Sequence, residues 1–225
     1  MSNQHVEEGL SAPVNVTWEL TYACNLSCVH CLSDAGKLNT QELTTEQCRD
    51  VVDQMARNRV FQLNIGGGEP FIRHDFLDLM EYAHTKGIVT CISTNGALIT
   101  DDAADRLNRD LVYVQVSVDG ASESSNDTIR GKGSFRRAMR AIEILTKRGV
   151  EVSINTVLTR LSFPELDALS HLATDVGAKF RVSRFRPSGR GKTTWKELNV
   201  SKEQMILFSD WLSEHKEVST GDSFF

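Results

Sequence analysis

Short β-branched and apolar runs alternate with segments of helical periodicity along almost the whole chain. The runs lie at 14–20 (VNVTWEL), 60–65 (VFQLNI), 87–93 (GIVTCIS), 111–118 (LVYVQVSV), 150–158 (VEVSINTVL) and 179–185 (KFRVSRF). The helical segments lie at 44–58, 74–86, 100–109, 134–148, 162–176 and 201–217. Strand followed by helix, six times over, leaves few folds open. Neighbouring parallel strands need a long crossover, and a helix is the usual one. The runs read as nearly continuous apolar stretches, the pattern of strands covered on both faces. Three helix starts carry a capping box: Thr44 with Gln47, Ser162 with Glu165 (and Pro164 in the first turn), and Ser201 with Gln204.

Polar, glycine-containing motifs follow the strands: CNLSCVHC, GGGEP, STNG, SVDG, NTVLTR and RPSGRG. In a β/α barrel the loops at the carboxyl ends of the strands build the active site, so these six motifs would converge on one mouth. Six strands are two short of a closed barrel. The expected fold is therefore α/β, a partial (β/α)6 TIM-like barrel whose side gap admits a large substrate. The chain has 225 residues, enough for one core. It divides into a polar arm at 1–13, a core domain at 14–217 and the start of a linker at 218–225. Net charge is −5 and the 25 Lys and Arg residues are scattered, with short clusters at 136–140 and 181–192. That distribution excludes the basic face of a nucleic-acid binder. No run of about 18 apolar residues suits a membrane span. The opening MSNQHVEEGLSAP lacks the basic start and apolar stretch of a signal peptide. A reducing cytoplasm is expected, where thiols stay free for metals or catalysis.

Of the five cysteines, Cys48 (in TTEQCRDVVDQMARN) and Cys91 (in GIVTCIST) read as small buried residues. Cys24, Cys28 and Cys31 stand on one short loop, in TYACNLSCVHCLS, and can reach a single metal centre. Structural zinc would want a fourth protein ligand. His30 neighbours Cys31, which makes joint ligation awkward, and His5, His74 and His84 show no recognisable spacing. From this motif alone an iron–sulfur cluster and zinc both stand.

The spacing Cys-x3-Cys-x2-Cys after the first strand, with GGGEP after the second, resembles the radical SAM enzymes. The resemblance implies a 4Fe–4S cluster held by Cys24, Cys28 and Cys31 as metal ligands and catalytic centre. Its fourth iron is open to the methionyl amine and carboxylate of S-adenosylmethionine (SAM), which is cleaved reductively to a deoxyadenosyl radical that abstracts hydrogen from the substrate. It further implies that Gly67, Gly68 and Glu69 bind the methionyl amine. Ser117, Asn95 and Asp119 would lie near the ribose or carboxylate, and Arg130, in NDTIRGKGSF, would pair with the carboxylate. The RPSGRG loop would touch adenosine or the peptide, and His30 would stack on adenine. Ordinary chemistry offers alternatives: glycines, Asn-Gly and Asp-Gly serve plain turns, and loop arginines are commonly solvated.

The runs PVNVTWELTYACNLSCVHCLS, VFQLNIGGGEP, FRVSRFRPSGRGKTTW and TGDSFF are similar to the mycofactocin peptide maturases, from about residue 13 to the end. That likeness implies a small precursor peptide ending in Val-Tyr. Its tyrosine is oxidatively decarboxylated and then joined to the valine by a carbon–carbon link. It also implies a peptide-binding carrier protein and a flavodoxin- or ferredoxin-type electron donor. The family continues into a Cys-rich SPASM domain, whereas here no cysteine follows Cys91 and the chain ends on Phe224-Phe225. The expectation is a shortened chain that binds a cluster and cleaves SAM slowly without full maturation. Another SPASM-type maturase, and a non-catalytic iron–sulfur or zinc-binding remnant, are the alternative readings.

Overall fold

A computed structural model describes residues 13–37, 41–107 and 111–220. The elements run β1 (Asn15–Thr21), α1 (Thr45–Arg57), β2 (Gln62–Gly67), α2 (Phe76–Thr85), β3 (Val89–Thr94), α3 (Asp101–Arg106), β4 (Val112–Ser117), α4 (Glu123–Arg130) and α5 (Ser134–Lys147). There follow β5 (Glu151–Leu158), α6 (Leu166–Asp175), β6 (Lys179–Arg184), α7 (Gly191–Leu198), α8 (Lys202–Glu214) and β7 (Ser219–Thr220). The strands pair in chain order, all parallel, in one seven-stranded sheet. Among the described residues β1 and β7 do not pair, so the sheet curls into an open partial barrel. The seventh strand comes from the segment read above as a linker start. Two residues are too few to leave a periodic signal. Residues 1–12, with His5, and 221–225, with the end of TGDSFF, lie outside the described residues.

The sheet is two-faced, which corrects the reading of its strands as covered on both sides. Leu63, Ile92, Val114, Ile154 and Val182 are fully buried on the outer face, beneath the helices. The alternating positions Asn64, Ser93, Gln115, Asn155 and Arg181 are half-buried and line a cavity inside the curl. Helices cover only the convex side. On the concave side polar side chains satisfy one another: Asn64 Nδ2 donates to Asn15 Oδ1 at 2.9 Å, and Ser183 Oγ to Asn155 Oδ1 at 2.7 Å.

The helices follow their apolar stripes. α1 buries Cys48, Val52 and Met55, and α5 buries Ala138, Ala141, Ile142 and Leu145, each at i, i+3, i+4 or i+7 spacing. The capping boxes at Thr44/Gln47 and Ser201/Gln204 form in both directions. The one expected at Ser162/Glu165 does not. Ser162 Oγ accepts from Thr159 N (2.9 Å) and donates to Val157 O (2.7 Å), and a 3-10 turn over Phe163–Glu165 precedes α6. Glu165 instead takes Ala121 N (2.6 Å) and Ser125 Oγ (2.8 Å), because β4 and β5 end side by side and bring unsatisfied donors within its reach. α4 and α7 were not expected from periodicity: SESSND and GKTTW hold few apolar residues. Among the described residues no helix is long and apolar enough to cross a membrane.

The two faces should differ in mutational cost. Ile154→Ala is expected to lower unfolding stability by about 2–5 kcal/mol through transfer and cavity terms. Asn155→Ala, its lumenal neighbour, should cost about 1 kcal/mol, one hydrogen bond. Urea unfolding of both variants checks this; equal losses would deny the two-faced sheet.

Candidate functional site

The loop between β1 and α1 carries Cys24, Cys28 and Cys31, and among its described residues it holds no strand or helix, only an isolated bridge between Ala23 and Gly36. Backbone contacts close it. Cys24 N donates to Gly36 O (3.1 Å) and Gly36 N to Tyr22 O (2.8 Å). The end of α4 holds its middle, where Val29 N reaches Ile129 O at 3.1 Å. The start of α7 holds its far side: Gly191 N to Cys31 O (3.2 Å), Thr194 Oγ1 to Val29 O (3.0 Å). Arg190 donates from Nε to Cys28 O (3.1 Å), and from Nη1 to Ala35 O (2.7 Å) and Asp34 Oδ1 (2.9 Å). So in the RPSGRG loop, which the resemblance placed near adenosine or peptide, the second arginine is bound to the chain itself. A Cβ at Gly189 would lie 2.6 Å from Cys31 O, so only glycine fits there.

GGGEP packs against the first residues of the same loop. Gly68 N donates to Thr21 O (2.6 Å) and Glu69 N to Ala23 O (2.8 Å). A Cβ on Gly67 would stand 2.5 Å from Thr21 O, and one on Gly68 would stand 2.0 Å from Ala23 O, while Gly66 has open space. The close approach demanded of these glycines is thus to the protein's own backbone. The Glu69 carboxylate is fully buried and accepts from Thr94 Oγ1 (2.7 Å) and Asn95 N (2.8 Å). Burial pushes its pKa up to about 7, against the opposing pull of these bonds.

One cavity of about 860 Å³ gathers most of the expected site residues: Cys24, Cys28, Cys31, Gly67, Gly68, Asn95, Ser117 and Arg130. N–H groups approach the sulfurs. Leu26 N is 3.5 Å and Asn95 Nδ2 3.9 Å from Cys24 Sγ, and Arg130 Nη1 is 3.9 Å from Cys28 Sγ. Asn95 Nδ2 also donates to Asn25 Oδ1 at 2.8 Å, tying STNG to the cysteine loop. Burial raises the Cys24 and Cys28 thiol pKa values, with Arg130 pulling Cys28 the other way, so ligation there must release protons.

Arg130 is no solvated surface arginine. It is 8% exposed, and its Nε lies 2.5 Å from Asp119 Oδ2. The same oxygen meets His30 Nε2 at 2.7 Å, and Oδ1 accepts from Val157 N at 2.7 Å. Asp119 is therefore walled off from the cavity, where the sequence had put it beside a ribose or carboxylate. Burial alone would raise its pKa, but Arg130 and His30 outweigh burial and hold it far below the usual carboxylate range. This His30–Asp119–Arg130 network has no local signature, since His30 and Asp119 are 89 residues apart. Nor has the clamp by α4 and α7.

The residues around the cysteine loop bear on which metal group they would fit. His74 is exposed and His84 Nε2 bonds Thr90 Oγ1 at 3.1 Å, so neither joins the cysteine loop. Among the described residues no three His, Cys, Asp or Glu side chains close on one point, as a single zinc ion requires. A cluster ligates each thiolate on a different iron, so its cysteines stand apart around a common space. Three cysteines spread on one cavity wall fit that arrangement.

Comparison with known proteins bears on the same residues. The description "Radical SAM superfamily" matches residues 18–172. The mycofactocin maturase of Mycolicibacterium smegmatis is 48% identical over 99% of this chain and 57% of its own length. The AdoMet-dependent heme synthase of Methanosarcina barkeri is 34% identical over 93% of this chain and 60% of its own. The chain thus spans less than two thirds of these relatives. Among solved structures, Streptococcus suis SuiB bound to precursor peptide SuiA aligns with a TM-score of 0.79 over 96% of this chain and 50% of that one. At 19% identity this is a likeness of fold.

Two measurements test the site's internal electrostatics. Asp119→Asn keeps the shape but leaves Arg130 buried without its counter-charge. It should cost about 3–5 kcal/mol in unfolding and lower iron retention after reconstitution. Glu69 has a folded pKa of about 7 against an ordinary 4.5, so the folded chain binds more protons between these values. Its contribution is full below pH 4.5 and is lost as pH rises through 7, on the order of 3 kcal/mol. Urea titrations at pH 5 and pH 7.5 should show that decline; a rise would contradict it.

Proposed function

The chain belongs to the radical SAM superfamily, and from that premise we propose that it is a peptide-modifying member of the mycofactocin maturase type. In this reading Cys24, Cys28 and Cys31 hold a 4Fe–4S cluster. A precursor peptide, brought by a carrier protein, loses the carboxylate of its C-terminal tyrosine and is then linked to the preceding valine. A flavodoxin or ferredoxin is the proposed electron source. The observation that carries the reading is the arrangement of three cysteines on one cavity wall, with N–H groups toward sulfur, His30 Nε2 turned to Asp119, and His74 and His84 away from the set. The 48% identity to the M. smegmatis maturase supports the substrate class.

When bound, the cluster and SAM supply the electron and the hydrogen-abstracting deoxyadenosyl group. The chain's own residues position and shield. Carbonyls of Gly67 and Gly68, backed by Glu69, accept from the methionyl ammonium. A cation there also favours the ionised form of Glu69. Arg130, its Nε side braced by Asp119, offers its outer N–H groups to a carboxylate. The Ser117 hydroxyl on the cavity wall suits a ribose. A cavity of about 860 Å³ accommodates SAM and the end of a peptide.

Anaerobic reconstitution is the test. The expected results are iron and sulfide bound together, deoxyadenosine release with a strong reductant, and an electron paramagnetic resonance signal of the reduced cluster that shifts on adding SAM. Cys28→Ser should abolish all three, and a Val-Tyr peptide should lose its terminal carboxyl group in the mass spectrum. Zinc at one per chain, without deoxyadenosine, would sink the reading.

A further inference from the structure

Among the described residues the cavity wall carries five arginines (Arg130, Arg181, Arg184, Arg186 and Arg190) and a single acid, Glu19. Arg130 is paired with Asp119 and Arg190 with Asp34, and Arg184 and Arg186 have interactions of their own. Arg181 differs. Its Nε is buried with no hydrogen-bond partner, and no carboxylate lies within ion-pair distance of it among the described residues. Glu19 does not serve it; that carboxylate accepts from Ser33 Oγ at 2.8 Å. A buried donor of a charged group left unmade costs more than most surface groups ever contribute. Something outside the chain is the natural partner.

Its place in the sheet says what kind. Arg181 is the third residue of β6, in register with Asn155 on β5 and Ser219 on β7. It sits three residues before the strand ends at Arg184, about 10 Å below the level of the cysteine loop. Gln62, Cys91, Gln115 and Arg181 line both the main cavity and a smaller one of about 190 Å³ toward the opposite ends of the strands. Of the charged residues that line the smaller cavity with it, Glu151 is paired with Lys179, and the other neighbours are neutral. Burial pushes the Cys91 thiol up to about 11, so it stays protonated and gives Arg181 no anion. Asn155 Oδ1 is used by Ser183, which leaves its NH2 group as a second donor beside the guanidinium. A fork of N–H donors with an amide alongside is suited to a carboxylate, which it binds in bidentate fashion. The carboxylate of SAM belongs at the level of the cluster, beside Arg130, a sheet's depth above.

We propose that Arg181 anchors the free C-terminal carboxylate of the peptide substrate at the floor of the barrel, with Asn155 as its partner donor. This rests on the peptide reading above. The terminal residue enters between the inner faces of the strands, and its carboxylate completes the unpartnered guanidinium. Its side chain and backbone then lie between Arg181 and the cysteine loop.

The test measures binding, by fluorescence anisotropy, of a labelled peptide ending in Val-Tyr with a free carboxylate and of the same peptide as its C-terminal amide. The cluster-loaded chain with SAM should bind the acid at least about tenfold more tightly than the amide, the scale of a charge-assisted pair. R181Q should erase that preference and R181K should restore part of it, with thermal melting and iron content confirming that each variant is folded. If R181Q does not fold, the acid–amide comparison on the unaltered chain and the partial loss in R181K carry the test. Equal binding of acid and amide by the unaltered chain, or an undiminished preference in R181Q, overturns the assignment of Arg181 while leaving the peptide reading intact. No binding of either peptide overturns the peptide reading and the anchor with it.

Discussion

The buried carboxylate of Asp119 is the contact on which the site's geometry turns. It stands at the end of β4, takes the backbone N–H of Val157 from β5, and faces Arg130 from α4 and His30 from the cysteine loop. Each partner removed from water would be costly alone. Together they offset one another, and the requirement that all three be satisfied fixes where the loop lies relative to the sheet. Arg130 in turn places a cation beside Cys28, which favours a thiolate in a setting that otherwise disfavours one. The loop needs such help, since it holds three cysteines within eight residues and, among its described residues, has no strand or helix to shape it.

The glycines of GGGEP act on the other flank by a different route. Gly67 and Gly68 are pressed so closely to Thr21 O and Ala23 O that no larger residue fits, and two backbone hydrogen bonds join the strand ends there. The loop is therefore pinned from the sheet by backbone contact and from α4 and α7 by backbone and side-chain bonds together. The concave face of the sheet completes the site. Its amides, hydroxyls and one arginine give the cavity a polar floor, and the helices on the convex face supply the apolar burial that stabilises the whole.

Much of this was legible in the residues. The six principal strands, the major helices and the three-cysteine loop followed from periodicity, turn chemistry and spacing, because those signals are local. α4 and α7 escaped because short helices rich in Ser, Thr and Lys carry a weak apolar stripe. Their function in gripping the loop through Ile129, Arg190 and Thr194 shows only once the chain is folded. The Ser162–Glu165 pair had the right letters for a cap, yet Glu165 satisfies donors on α4's approach instead. A long-range partner brought within 2.6 Å displaced a local one.

What the sequence determined by itself was the order of strands and helices, the clustering of glycine motifs at one end of the sheet and the placement of three cysteines on one short loop. These depend on neighbours a few residues apart. Only the tertiary structure decided that Asp119 is a buried brace, that Glu69 is enclosed with its pKa near neutrality, and that Arg181 faces the lumen with a donor unmatched. Burial and ion pairing are properties of distance in space. No pattern along the chain announces that residues 30, 119 and 130 will share one carboxylate until the strands have been laid side by side.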